Sequence, residues 1–221
     1  MKLVAFLTVA AMLALPVSGS EIAAGRFSAG DLTGWGNMDF NGKTVYTITQ
    51  HDGRTALQAY SNHAASGLLK KVSFKPADYP IVRWSWNVER PLPREDVTRK
   101  SGDDFAARVY VIFPRGFFKW QNRALNYVWA SRMPKGSFAS SPYTSNSAVI
   151  AVESGNGKAG TWVTEERNIY EDYRKAFGSD PPPVGAVAVM TDTDNTGDEV
   201  TAWYGDITFV RSPQAALPPR P

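Results

Sequence analysis

Short runs rich in β-branched and aromatic residues recur along nearly the whole chain, each closed by Gly, Pro, Asn or Asp. That rhythm constrains the fold more than any other feature, because runs of this length suit strands and the closing residues suit turns. The spacing predicts strands near residues 43–50, 55–60, 67–74, 81–89, 105–113, 124–130, 147–153, 162–169, 184–193 and 201–210. Helical periodicity is confined to residues 170–177, and Gly178 followed by Pro181, Pro182 and Pro183 stops it. The expected fold is therefore all-β: an antiparallel jelly-roll β-sandwich with one short connecting helix.

The first twenty residues follow a different logic. Lys2 precedes an apolar run over residues 3–15, broken at Pro16 and followed by the small residues Ser18, Gly19 and Ser20, the pattern of a secretory signal peptide cleaved near residues 18–20. The run is shorter than the roughly 20 residues a membrane-spanning helix needs, and none like it follows, so no membrane span is expected. The mature protein is expected in the periplasm or outside the cell. Residues 21–211 read as one jelly-roll domain, and residues 212–221, with four prolines and no apolar pattern, as a disordered tail. The chain has no cysteine. A domain of about 200 residues does not need disulfides, since it buries around 70% of the surface its unfolded chain exposes. The net charge of +3, from 24 Lys and Arg against 21 acids interspersed along the chain, reads as solvated surface, so no nucleic-acid partner is expected.

Residues two apart in a strand share a face, which sorts core from open positions. In the segment from Phe105, one face carries Phe105, Ala107, Val109, Val111 and Phe113 and is core; the other, read from Asp104, carries Arg108 and Tyr110 and is too polar to lie between sheets unpartnered. Asp103, Asp104 and Arg108 form the densest charged cluster, suited either to an ion pair on the sheet or to fixing sugar hydroxyls. Around Trp162 the sorting is mixed: Val163, Glu165, Arg167 and Ile169 share one face, Trp162, Glu166 and Asn168 the other. Trp84 and Trp86 read as core. Tyr127 and Trp129 are the better candidates for stacking on a sugar ring, because Arg123 and Asn126 keep their neighbourhood polar. The ligand-binding set is thus Asp103, Asp104, Arg108, Tyr110, Tyr127, Trp129, Trp162, Glu166 and Asn168.

Asp192, Asp194 and Gly197 repeat the first half of an EF-hand loop, but its twelfth position is Trp203 where a bidentate glutamate is required. A hairpin turn is one reading; a looser oxygen-ligated calcium site at Asp192, Asp194 and Asn195 is the other, and calcium is the one cofactor considered. Paired carboxylates for acid and base work would come from Glu166, Asp192 and Asp104. His51 and His63 show no metal-ligand spacing, and no Gly-x-Ser-x-Gly motif is present.

Three segments together resemble a bacterial family catalogued as domain of unknown function 3047: Gly102-Asp103-Asp104 with Arg108 and Tyr110; Glu166-Arg167-Asn168 with Asp172, Tyr173 and Phe177; and Thr191 to Gly197. The closing Tyr204-Gly205-Asp206-Ile207 fits as well, and the resemblance runs from about Phe27 to Val210. It implies that the matched polar residues are site candidates. Phe27-Ser28 with Gly34-Trp35, and Asp206 to Phe209, are similar to the first and last strands of galactose-binding-like jelly rolls, which implies architecture more than activity. The leading expectation is an exported module that binds a glycan or another polar cell-envelope ligand in a polar, aromatic-lined groove. The alternative is a carbohydrate-active hydrolase or lyase.

Overall fold

The structure, a computed structural model, describes residues 21–116 and 121–211. The expected signal peptide, 1–20, and Pro-rich tail, 212–221, lie outside the described residues. In chain order the strands are β1 (Glu21–Gly25), β2 (Trp35–Asn41), β3 (Val45–His51), β4 (Arg54–Asn62), β5 (Ala65–Phe74), β6 (Ile81–Val88), β7 (Ala107–Phe113), β8 (Arg123–Ala130), β9 (Phe138–Ser141), β10 (Thr144–Ser154), β11 (Val163–Asn168), β12 (Val184–Asp192) and β13 (Glu199–Val210), with helix α1 (Ile169–Phe177) between β11 and β12.

They form two sheets. The six-stranded sheet runs β11-β6-β13-β4-β3, and β1 pairs with the far half of β13. The seven-stranded sheet runs β2-β5-β12-β7-β8-β10-β9. Packed face to face, they make the jelly-roll sandwich that the turn rhythm predicts, with α1 as its one α-helix among the described residues. One pairing departs from the antiparallel expectation: β10 runs parallel to β8, because residues 131–143 carry the chain back before β10 starts and place β9 on its outer edge.

All ten predicted strands are present. β1, β2 and β9 were not anticipated, and their sequences show why: EIAAG, WGNMDFN and FASS carry small or turn-forming residues and become strands through the partners they meet. Phe105 and Ala106 precede β7 rather than open it, so Asp103 and Asp104 belong to the long connection 89–106.

The core lies between the sheets. Trp84 and Trp86 of β6 meet edge-on at 5.4 Å; Trp84 lies 5.3 Å from Tyr127, and Trp86 6.0 Å from Trp129. Four large rings thus fill the space that alternate residues of β6 and β8 point into. A second, smaller core covers the outer face of the seven-stranded sheet. There Val97 and Phe105 of the 89–106 connection, with Met133, pack on Val128 and Ala130 of β8 and Val149 and Ala151 of β10. The connection is therefore a third layer over half of that face, and its end carries Asp103 and Asp104 to the uncovered half.

Candidate functional site

On β7 and β12, Arg108, Tyr110, Met190 and Asp192 face away from the sandwich core, with Arg108 opposite Met190 in the register. They floor a cavity of about 540 Å³. Its walls come from four connections: Asp103 from the third layer, Phe40 and Asn41 at the end of β2, Ser141, Tyr143 and Thr144 around the β9–β10 hairpin, and Asp194 and Asn195 after β12.

The floor is held by charge. The Arg108 side chain is almost wholly buried; its Nε donates to Asp192 Oδ1 at 2.7 Å and a terminal nitrogen to Asp192 Oδ2, a two-pronged pair. The same terminal nitrogen donates to the Asp103 carbonyl at 2.5 Å, and the guanidinium lies 4.5 Å from the Phe105 ring centre. Burial pulls against the Arg108 charge, but Asp192, Tyr110 and Asp103 outweigh it and hold the guanidinium well above its usual range. Burial pushes the Asp192 carboxyl up to about 7 in spite of Arg108, with Asp104 and Asp103 adding to the rise; burial likewise raises Asp103.

Asp104 serves the neighbouring turn. Its Oδ2 accepts from the Thr196 backbone N–H at 2.5 Å, and its Oδ1 from the backbone and side-chain amides of Asn195 at 3.3 and 3.2 Å. Gly197, at φ +60°, lets the chain turn back there. From the third layer, Arg90 pairs with Asp198 at 2.8 Å and Arg94 donates to the Gly197 carbonyl at 3.0 Å. Residues 195–198 therefore form a turn, as expected, but it carries the chain from β12 in one sheet to β13 in the other and closes no hairpin.

One oxygen from each of Asp104, Asp192 and Asp194 lies within 4.8 Å of the others, a set suited in kind to calcium. The donors around them do not suit it. Asn195 turns its amide N–H groups, not its oxygen, toward Asp104 and Asp194, while its oxygen accepts from the Tyr143 hydroxyl at 2.9 Å. Asp192 is taken up by Arg108 and by the Phe105 N–H. The chain satisfies these carboxylates itself.

The structure thus brings together Asp103, Asp104, Arg108, Tyr110, Asp192, Asp194 and Asn195, and separates the rest of the expected set. Tyr127 and Trp129 are fully buried between the sheets, out of a ligand's reach; their polar neighbours Arg123 and Asn126 misled the sequence reading. The Tyr127 hydroxyl instead donates to Asp172 at 2.9 Å, which also pairs with Arg167, so this network pins α1 to the sandwich. Asn168 is the N-cap of α1, its side-chain oxygen accepting from the Tyr170 and Glu171 N–H groups at 3.1 Å. Glu166 and Trp162 lie on the outer face of the six-stranded sheet, across the sandwich from Asp192, and Glu166 pairs with Arg83 at 2.5 Å. Glu166 therefore shares no bond with Asp104 or Asp192, and the acid–base pairs built on it are lost. Sequence reasoning missed Phe40 and Tyr143, both exposed at the mouth of the cavity. Phe40 sits in a strand that was not anticipated, and Tyr143 follows Pro142 in a segment that reads as loop.

A family model described as a protein of unknown function (DUF3047) matches residues 33–208. Among curated proteins none matches in sequence. Similar solved structures include the family 30 carbohydrate-binding module of cellulosomal cellulase Cel9D-Cel44B of Clostridium thermocellum, with a TM-score of 0.48 at 8% identity over 88% of this chain and 99% of that one. The carbohydrate-binding module TmCBM61, solved with β-1,4-galactotriose, gives 0.42 at 11% identity over 86% and 95%. The K3 cleaved adhesin domain of Lys-gingipain from Porphyromonas gingivalis gives 0.44 at 12% identity over 87% and 100%.

Proposed function

The chain belongs to the DUF3047 family of proteins of unknown function, and on that premise we propose that it is an exported binding module, which holds a glycan in the cavity over β7 and β12 without turning it over. The observation that carries the reading is the pair of exposed aromatic rings, Phe40 at 65% and Tyr143 at 53% exposure, at the mouth of a cavity with a polar, rigid floor. Exposed rings beside hydrogen-bonding groups suit a sugar, whose ring offers an apolar C–H face and a polar rim. Phe40 and Tyr143 cover the face; Ser141, Thr144 and Ser147 meet the hydroxyls.

The carboxylates support binding rather than hydrolysis. A general acid must be free to hand its proton to the leaving oxygen. Asp192 is clamped by Arg108 and Asp104 by the Asn195–Thr196 turn, so neither has a free oxygen aimed at a substrate.

Titration of the folded protein with a panel of neutral oligosaccharides tests this. Tyr143→Ala and Phe40→Ala should each weaken binding five- to tenfold, about 1 kcal/mol per ring, with the melting temperature unchanged and the sugar recovered intact. Binding indifferent to both substitutions would move the site elsewhere, and recovery of cleaved sugar would overturn the binding reading.

A further inference from the structure

We propose that the opposite face of the molecule carries a second, independent site, which takes the oxyanion of an acidic saccharide. A cavity of about 420 Å³ opens on the outer face of the six-stranded sheet, walled by Arg54, Trp162 and Arg83 and floored by Ser85 and Gly205. A break in strand register between Tyr204 and Ile207 turns Asp206 outward there. A Cβ on Gly205 would come within 2.1 Å of Ser85 Oγ, so the floor keeps its depth because this residue has no side chain.

The balance of donors and acceptors identifies the ligand. The acid in the lining, Asp206, is already served, accepting from the Ser28 N–H at 2.8 Å and its hydroxyl at 2.6 Å. Arg83 gives its Nε to Glu166 and keeps its two terminal nitrogens without a protein acceptor among the described residues. Arg54 has no carboxylate partner there either; its guanidinium rests over the Trp162 ring, 5.2 Å from the centre. Stacking fixes the plane of a guanidinium while leaving its edge N–H groups available. The cavity thus presents unspent donors with its acceptor taken, and a complementary ligand must bring oxygens bearing negative charge. Hydroxyls of Thr55, Ser85, Thr164 and Thr208 line the same space and suit the remaining oxygens of a sugar ring. A carboxylate carried on such a ring meets both sets of groups.

The test uses the whole folded chain and follows the Trp162 indole and Thr164 amide resonances during titration with a uronic-acid trisaccharide, the neutral trisaccharide of the same linkage, and inorganic phosphate. The uronate should move both resonances, its affinity should fall at least tenfold in Arg54→Gln, and added salt should weaken it. Tyr143→Ala, at the other cavity, should leave it unchanged, so failure here and failure of the glycan site over β7 and β12 remain distinguishable. Uronate binding that Arg54→Gln leaves intact overturns the proposal, as does an equal response to the neutral sugar. Phosphate as tight as the uronate overturns the saccharide assignment, and the absence of any response at Trp162 overturns the site. Arg54 is exposed and its guanidinium rests on the Trp162 ring, so Arg54→Gln is expected to fold, which an unchanged melting temperature verifies.

Discussion

Removing the Arg108 guanidinium would leave Asp192 and Asp103 buried without their cation. Breaking one partner out of a buried ion pair costs about 3–5 kcal/mol, far above the 0–1 kcal/mol of an exposed pair such as Arg83–Glu166. Arg108→Ala is therefore expected to lower unfolding stability by that amount in denaturant titration, and Arg83→Ala by about 1 kcal/mol or less; equal effects would contradict the charge-held floor. Calcium and chelator should both leave the wild-type melting temperature unchanged, since N–H donors already occupy the Asp104 and Asp194 oxygens. A rise of several degrees with calcium would reverse that conclusion.

A second residue-scale prediction concerns Glu95, buried in the third layer, where it accepts from the Ser131 N–H. Burial raises its carboxyl from 4.5 to about 7. A folded-state value above the unfolded one gives stability that is complete below about pH 4.5 and is lost as pH rises through about 7. The shift corresponds to roughly 3 kcal/mol at most. Glu95→Gln, which keeps the acceptor, should flatten the fall in stability between pH 5 and pH 8; an unchanged pH profile would remove Glu95 as its source. At this scale the sequence displayed Asp103, Asp104, Arg108 and Asp192 as charged neighbours of strands, and all four meet. It could not display that Tyr127 faces inward, because alternation sorts residues into two faces without naming which is wet.

At the scale of elements, the strands with β-branched and aromatic alternation were legible and those formed by partnership were not. β2 is exposed along most of its length and is a strand because β5 pairs with it from Lys70 to Ala65. Helix α1 was legible from its stop, Gly178 in the left-handed region, but its start was assigned to ligand binding: Asn168 read as a site residue and is the cap. Asn168→Ala should cost about 1 kcal/mol and loosen α1, seen as faster amide exchange from Tyr170 to Tyr173, with glycan affinity unchanged. A loss of affinity without loss of protection would return Asn168 to a site.

Across the whole molecule the two sheets are joined by more than apolar packing. The Tyr204 hydroxyl reaches from β13 across the core to donate to the Met190 carbonyl at 2.6 Å, and accepts from the Arg108 N–H at 3.2 Å, directly behind the charged floor. Tyr204→Phe would strand those buried groups at a cost of about 1–3 kcal/mol. Tryptophan fluorescence, reporting the core, and far-ultraviolet circular dichroism, reporting the strands, should shift together; separate transitions would show sheets that unfold independently. The fold class was legible because turn chemistry recurs along the whole chain, whereas the parallel β8–β10 pair depends on the path of residues 131–143, which no local pattern encodes.

The two cavities open in opposite directions, one through each outer face of the sandwich. A short oligosaccharide cannot reach around the body to fill both on one copy, so occupancy of one adds nothing to the local concentration at the other. If both proposed sites take glycan, two separate polymer chains can be held at once, one on each side. A single copy would then rivet strands of a mesh together: mixed with a long acidic glycan and a neutral one, it should raise viscosity or turbidity at intermediate protein concentration and lose that effect in excess, when every strand is capped by its own copy.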